Sequence, residues 1–324
     1  MNSNRRALVA GAVLALTGLA GGSAFAQAYP DKPITFVVPF AAGSATDQLA
    51  RALGQAVTEQ TKQAVVVDNK PGANAFIGAQ AAAKAPKDGY TVLITTNTTH
   101  AANEHLFKKL PYDPVKDFEP VGLLSKGAQI LVVNNDVPAH SVQDLVKLAK
   151  ASPGKLSFGY GSSSSRIAGE LFKQMTGTYI VGIPYRSNPP AVSDLIGGQI
   201  QFMITDMATG LPQVKAGKVR GLGVSTTKRT PLAPELPTIS ESGVKGYEMS
   251  FWFAAYVPAG TPAPVVARLN EILSKANHSQ AVSNFYAQNG FETLAGSPED
   301  LRKFQAAESD KWRKIITSAG IEKE

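Results

Sequence analysis

Short apolar runs alternate with amphipathic stretches of helical period along most of the chain. Ile34–Val38 predicts a strand, Pro39–Thr46 a small-residue loop, and Asp47–Gln60 a helix with Leu49, Ala50, Leu53, Ala56 and Val57 on one face. Ala64–Val67 and Thr91–Thr95 predict further strands. The small-residue helix Ala75–Lys84 lies between them, with turns at Asn69-Lys70-Pro71-Gly72 and Asp88-Gly89. Strands are also predicted at Gln129–Val133, Leu156–Tyr160, Ile180–Ile183, Phe202–Thr205 and Gly221–Val224. Among the intervening helices, Ser141–Ala151 opens with a capping box from Ser141 and Asp144. An extended aromatic stretch, Tyr247–Val257, precedes a tail of helices. The last helix starts at Ser297-Pro298 and spaces Leu301, Phe304, Trp312, Ile315, Ile316 and Ala319 to face a core. This alternation is the pattern of βαβ units in parallel sheets.

The pattern predicts an α/β protein of two lobes joined by two crossovers, near Phe118–Leu124 and near Met249–Val257, with a cleft between them. Residues 27–125 and 251–324 make one lobe and residues 126–250 the other. Residues 27–324, about 300 of the 324, also exceed what one core usually serves. Ahead of this lies a different pattern: Arg5 and Arg6, an apolar and small-residue run from Ala7 to Ala20, then Ala24-Phe25-Ala26. These features predict a signal peptide over residues 1–26, cleaved near Gln27, because the run is too short to span a bilayer. The mature chain is expected free in solution outside the inner membrane, in the periplasm. The chain has no cysteine, which removes lipid tethering, disulfides and thiolate metal sites.

Formal charge is +7 and falls to +5 without Arg5 and Arg6, spread thinly along the chain. Such a balance suits small anions and not nucleic acid. Hydrophobic content of 44% with 18% charged residues is ordinary for a globular protein. No G-x-S-x-G elbow, phosphate loop or dinucleotide fingerprint occurs. His100, His105, His140 and His278 lack metal-ligand spacing and read as surface or loop residues. No cofactor and no metal is expected, and an enzyme is the least favoured reading.

What remains is a set of small-residue loops that open helices. Ala41-Ala42-Gly43-Ser44-Ala45-Thr46 follows the first strand and leads to a helix capped near Thr46 or Asp47. Gly161-Ser162-Ser163-Ser164-Ser165-Arg166 repeats the arrangement in the second lobe. A helix N-terminus with unpaired amides is suited to a carboxylate. Arg166 faces the unfavourable end of its helix dipole, so it reads either as a ligand cation or as a side chain that snorkels to solvent or pairs with Glu170. Thr96, Asn97 and Thr98 follow the third strand, at the edge where open α/β sheets bind ligands. Tyr185 and Arg186 follow another strand. Asp206 stands at the same edge, either as an acceptor for a donor-bearing ligand or as a helix cap.

The motifs Tyr29-Pro30-Asp31-Lys32-Pro33-Ile34, Val37-Val38-Pro39-Phe40, Asn69-Lys70-Pro71-Gly72-Ala73, Asp88-Gly89-Tyr90-Thr91, Leu110-Pro111-Tyr112-Asp113-Pro114, Gly197-Gly198-Gln199 and Pro258-Ala259-Gly260-Thr261-Pro262 occur in an order and spacing that covers nearly all of the mature chain. Together they resemble the Bug (TctC) family of extracytoplasmic solute receptors of tripartite tricarboxylate transporters. The resemblance implies a periplasmic-binding-protein fold. It also implies carboxylate recognition through main-chain amides and hydroxyls of Phe40 to Asp47 and of Gly161 to Ser165, and delivery to the membrane subunits of a transporter. Two positions depart from the family pattern. Ala42-Gly43-Ser44 stands where proline-glycine-glycine is frequent, and Arg166 where histidine is frequent. A ligand sensor would share the same cleft.

Overall fold

The computed structural model describes residues 29–324, so the expected signal peptide lies outside the described residues. The described residues form ten strands and ten α-helices. The strands are β1 (Ile34–Val38), β2 (Val65–Asn69), β3 (Thr91–Thr96), β4 (Phe118–Asn134), β5 (Ser157–Tyr160), β6 (Val181–Pro184), β7 (Phe202–Asp206), β8 (Val219–Val224), β9 (Ser250–Pro258) and β10 (Phe291–Thr293). The helices are α1 (Ala45–Thr61), α2 (Phe76–Ala83), α3 (Asn103–Leu106), α4 (Val142–Ala151), α5 (Ser163–Thr176), α6 (Asn188–Ile196), α7 (Met207–Lys215), α8 (Ala263–Asn277), α9 (Gln280–Asn289) and α10 (Pro298–Ser318).

Strand order is β2-β1-β3-β9-β4-β7-β5-β6, with β8 and β10 also paired to β4. Each lobe has a parallel triplet produced by its βαβ connections: β2-β1-β3 in one, and β6-β5-β7 in the other. Antiparallel β4 and β9 run between the triplets. The sequence pattern suggests two strands at Phe118–Leu124 and Gln129–Val133, whereas the structure has one strand of 17 residues. The polar stretch Ser125-Lys126-Gly127 stays extended because β9 and β10 both supply ladder partners there, and β7 and β8 take over from Gln129 onward. Both faces of the sheets are packed. One apolar cluster holds Phe158, Phe172, Phe202, Trp252 and Trp312; a second holds Phe36, Leu49, Phe253 and Phe291.

Two sequence expectations change. Thr98–Ala102, expected as loop, is one wide helical turn leading into α3, and its residues are buried. His100, expected at the surface or in a loop, is fully buried there. It stacks on Tyr256 with ring centroids 3.8 Å apart, and its Nδ1 lies 2.8 Å from Thr99 Oγ1. Its aromatic surroundings explain the placement, since the ring packs as a neutral flat side chain. Burial pushes its pKa down to about 3. The expected core role of Trp312 agrees with its 1% exposure.

Candidate functional site

Parallel strands deliver their C-terminal ends to one side of each triplet, and the helices that follow begin there. Four of those helix starts converge on one pocket, about 370 Å³ when the open space at its mouth is included. Their N-cap residues Ser44, Ser162, Ser187 and Asp206 all line it. The other lining residues are Phe40, Ala45, Thr46, Thr96, Gln129, Gly161, Ser164, Asn188, Phe251 and Phe253. Both lobes contribute. Among the described residues no lysine, arginine or histidine lines it, and Asp206 is its one ionisable side chain.

Helix α1 starts two residues before the sequence pattern places it, because Ser44 is the cap and its Oγ accepts from the Asp47 amide at 3.2 Å. With that amide used, those of Ala45 and Thr46 have no acceptor within the helix. Asp47 turns back instead. Its Oδ2 accepts from the Gly43 amide at 2.9 Å, and Arg51 pairs with its Oδ1 at 2.9 Å. Burial alone would raise the Asp47 carboxyl pKa, but these hydrogen bonds and the guanidinium outweigh it and hold the pKa below the ordinary value. Gly43 has φ +79°, a left-handed conformation that a side chain resists.

Helix α5 opens with a capping box: Ser162 Oγ accepts from the Ser165 amide, and Ser165 Oγ accepts from the Ser162 amide. Gly161 is held by proximity. A Cβ there would lie 1.9 Å from the Ser187 carbonyl carbon and 2.2 Å from the Asn188 nitrogen, so only glycine lets α5 and α6 start side by side. Asn188 then links three helix starts. Its Oδ1 accepts from the Gly161 amide at 3.0 Å and from Ser165 Oγ at 3.1 Å, and its Nδ2 donates to Asp206 Oδ2 at 2.9 Å. Asp206 Oδ1 caps α7 by accepting from the Thr209 amide at 2.8 Å. Asp206 therefore caps a helix, as one of its two readings had it, and its side chain also lines the pocket.

Of the residues singled out in the sequence, Phe40, Ser44, Thr46, Thr96, Gly161, Ser162, Ser164 and Asp206 line the pocket, while the remainder sit behind or away from it. Ala42 and Gly43 shape the loop, and Asp47 braces it. Asn97 Nδ2 donates across the cleft to Ser164 Oγ at 3.1 Å, and Ser163 Oγ donates to Asn103 Oδ1 at 2.7 Å. Thr98 is buried in the wide helical turn, and Ser165 is consumed by its cap and by Asn188. Arg166 does not line the pocket and pairs with Glu324 at 2.7 Å, not with Glu170. The Tyr185 hydroxyl donates to Asp194, which with burial raises its pKa to about 12. Arg186 is exposed.

Gln129, Ser187, Asn188, Phe251 and Phe253 also line the pocket and were not expected there, while Ala45 was expected only as part of the Phe40–Asp47 stretch. Gln129 is in the middle of a strand and becomes visible only through register, since it pairs directly with Asp206. Ser187 had a local signal, a serine before Asn188-Pro189-Pro190 that marks a helix start.

Two α/β lobes that meet at a pocket built from helix N-termini define a solute receptor of the periplasmic-binding-protein type. Residues 49–321 match the family described as tripartite tricarboxylate transporter family receptor, and the chain belongs to that family. Protein BugT of Bordetella pertussis is 33% identical over 99% of both chains. Among solved structures, an R. palustris protein, Rpa4515, with adipate superposes with a TM-score of 0.88. It is 36% identical, covering 91% of this chain and all of the other. The periplasmic binding protein BugD gives a TM-score of 0.87 at 33% identity with coverage of 91% and 100%.

Proposed function

We propose that this receptor captures a small organic carboxylate between its lobes in the periplasm and presents it to the membrane subunits of a tripartite tricarboxylate-type transporter. The observation that carries this reading is the convergence of four helix N-termini on a pocket without a cation. Amides and hydroxyls at such ends stabilise an anion through fixed dipoles. Adipate in a relative 36% identical over its whole length supports the ligand class. The apolar walls Phe40, Phe251 and Phe253 suit the carbon skeleton of such a solute. No nucleophile and base are paired among the lining side chains, which favours binding over turnover. Lobe boundaries at residues 126 and 250 fit the strand pairing, since Lys126 and Trp252 are register partners where β4 and β9 pass between lobes.

A thermal-shift screen over mono-, di- and tricarboxylates tests the reading. A ligand at one hundred times its Kd adds about 2.7 kcal/mol of stability, so a binder raises the melting temperature clearly. Failure of every carboxylate to do so would reject it.

A further inference from the structure

Two polar atoms in the pocket wall are buried and have no partner within the protein: Ser187 Oγ and Gln129 Oε1, on residues 0% and 1% exposed. The Ser187 case follows from sequence. An N-cap hydroxyl normally accepts from the amide at the second or third helical position, and here those positions are Pro189 and Pro190, which have no N–H. The hydroxyl is left for something else. Leaving a buried polar group unmatched costs about 1 to 3 kcal/mol, a cost that a ligand would remove.

Gln129 lies directly opposite Asp206 in the antiparallel β4–β7 ladder, so their side chains stand together on one face of the sheet. Asp206 receives three protein hydrogen bonds, from the Thr209 amide, Asn188 Nδ2 and Thr205 Oγ1. A carboxylate accepts about four, so capacity remains. The Gln129 amide can offer either its oxygen or its NH2 group. This wall therefore carries a negative charge with no lining cation to balance it. The mouth of α1, in the other lobe, is capped by the neutral Ser44 and favours an anion. A ligand carboxylate against Asp206 would bring like charges together in a partly dry site. An ammonium, hydroxyl or amide N–H would instead form a charge-assisted hydrogen bond there.

We propose that the wall formed by Asp206, Gln129 and Ser187 receives a hydrogen-bond donor of the solute, so that the preferred ligand is a small carboxylate bearing an ammonium, hydroxyl or amide group. This rests on the carboxylate-receptor reading and concerns the other end of the same ligand. The test uses matched pairs that share a carbon skeleton: succinate against malate and aspartate, glutarate against glutamate, and propionate against lactate and alanine, each titrated into the purified receptor by calorimetry. At least one donor-bearing member should bind about ten-fold tighter than its plain counterpart. Asp206→Asn, which retains a good helix cap, should abolish that advantage, and loss of the negative charge should let the plain acid bind at least as tightly as before. Ser187→Ala removes only an unpartnered hydroxyl. It should weaken the donor-bearing member without lowering the melting temperature of the free protein, which should rise if anything as the unmatched hydroxyl is removed, and it reads the same wall if Asp206→Asn does not fold. Equal affinities within every pair, tighter binding of the plain acids, or an advantage that survives both substitutions would overturn the inference and leave the receptor reading standing. Absence of binding by all of these acids would overturn the inference alone, since the receptor reading is decided by the wider carboxylate screen.

Discussion

Arg166 shows how far a single charged side chain can mislead. Its place at a helix start suggests an anion-binding role, but it is partnered by Glu324 and stacks over Tyr160 at 5.8 Å. Arg166→Ala should therefore leave the Kd for a bound carboxylate unchanged within about two-fold. Because Glu324 is more than half exposed, the substitution should cost roughly 1 kcal/mol or less. Calorimetry and chemical denaturation check the two halves of this statement. His100 gives a residue-scale prediction in pH. Its folded pKa of about 3 lies below the unfolded value of about 6.5, so the unfolded chain binds more protons between those limits. Stability should fall as pH drops through that window, by roughly 2 kcal/mol between pH 6.5 and 5 from this group alone. His100→Phe should flatten the profile, as measured by urea unfolding at a series of pH values. Asp47 acts lower on the scale: its depressed pKa contributes stability that is present above the ordinary aspartate range and is lost as pH falls through the folded value.

At the scale of elements, the Asn188-Pro189-Pro190 start of α6 can be tested by restoring an amide. Pro190→Ala places an N–H at the third helical position, within reach of Ser187 Oγ, and should stabilise the helix by about 1 kcal/mol through the new cap. Affinity for the solute should fall several-fold as the hydroxyl is diverted; unchanged affinity would mean that Ser187 plays no part in binding. The same scale shows what the sequence could convey. β1, β3 and β7 were legible because nearly every position is buried, leaving mostly apolar runs bounded by turns. The start of α10 was legible because Ser297, Pro298 and Asp300 are local cap signals. The length of β4 was not, because Ser125-Lys126-Gly127 is extended only through partners more than a hundred residues away. The serine and glycine loops of the site were legible as helix starts. Gln129, Phe251 and Phe253 were not, because they reach the pocket through strand register, which one sequence does not display.

For the whole molecule, β4 and β9 are the backbone routes across the cleft, while Asn97–Ser164 and Asn103–Ser163 join its walls directly. Those pairs would hold a closed arrangement, with Arg166–Glu324 beside them. Scattering with and without a saturating carboxylate should show a smaller radius of gyration when bound. Asn97→Ala should make the free form more open and weaken binding; identical scattering in all states would argue against hinged closure. The cation-free pocket has a consequence for kinetics and ionic environment. Recognition through the fixed dipoles of helix ends acts only at contact distance, so it lacks the long-range attraction that a cluster of arginines would exert on an approaching anion. Capture should proceed at an ordinary diffusional rate, and both that rate and the Kd should be nearly unchanged between about 20 and 500 mM salt. A receptor working outside the inner membrane would then keep the same grip on its solute as external salinity rises and falls.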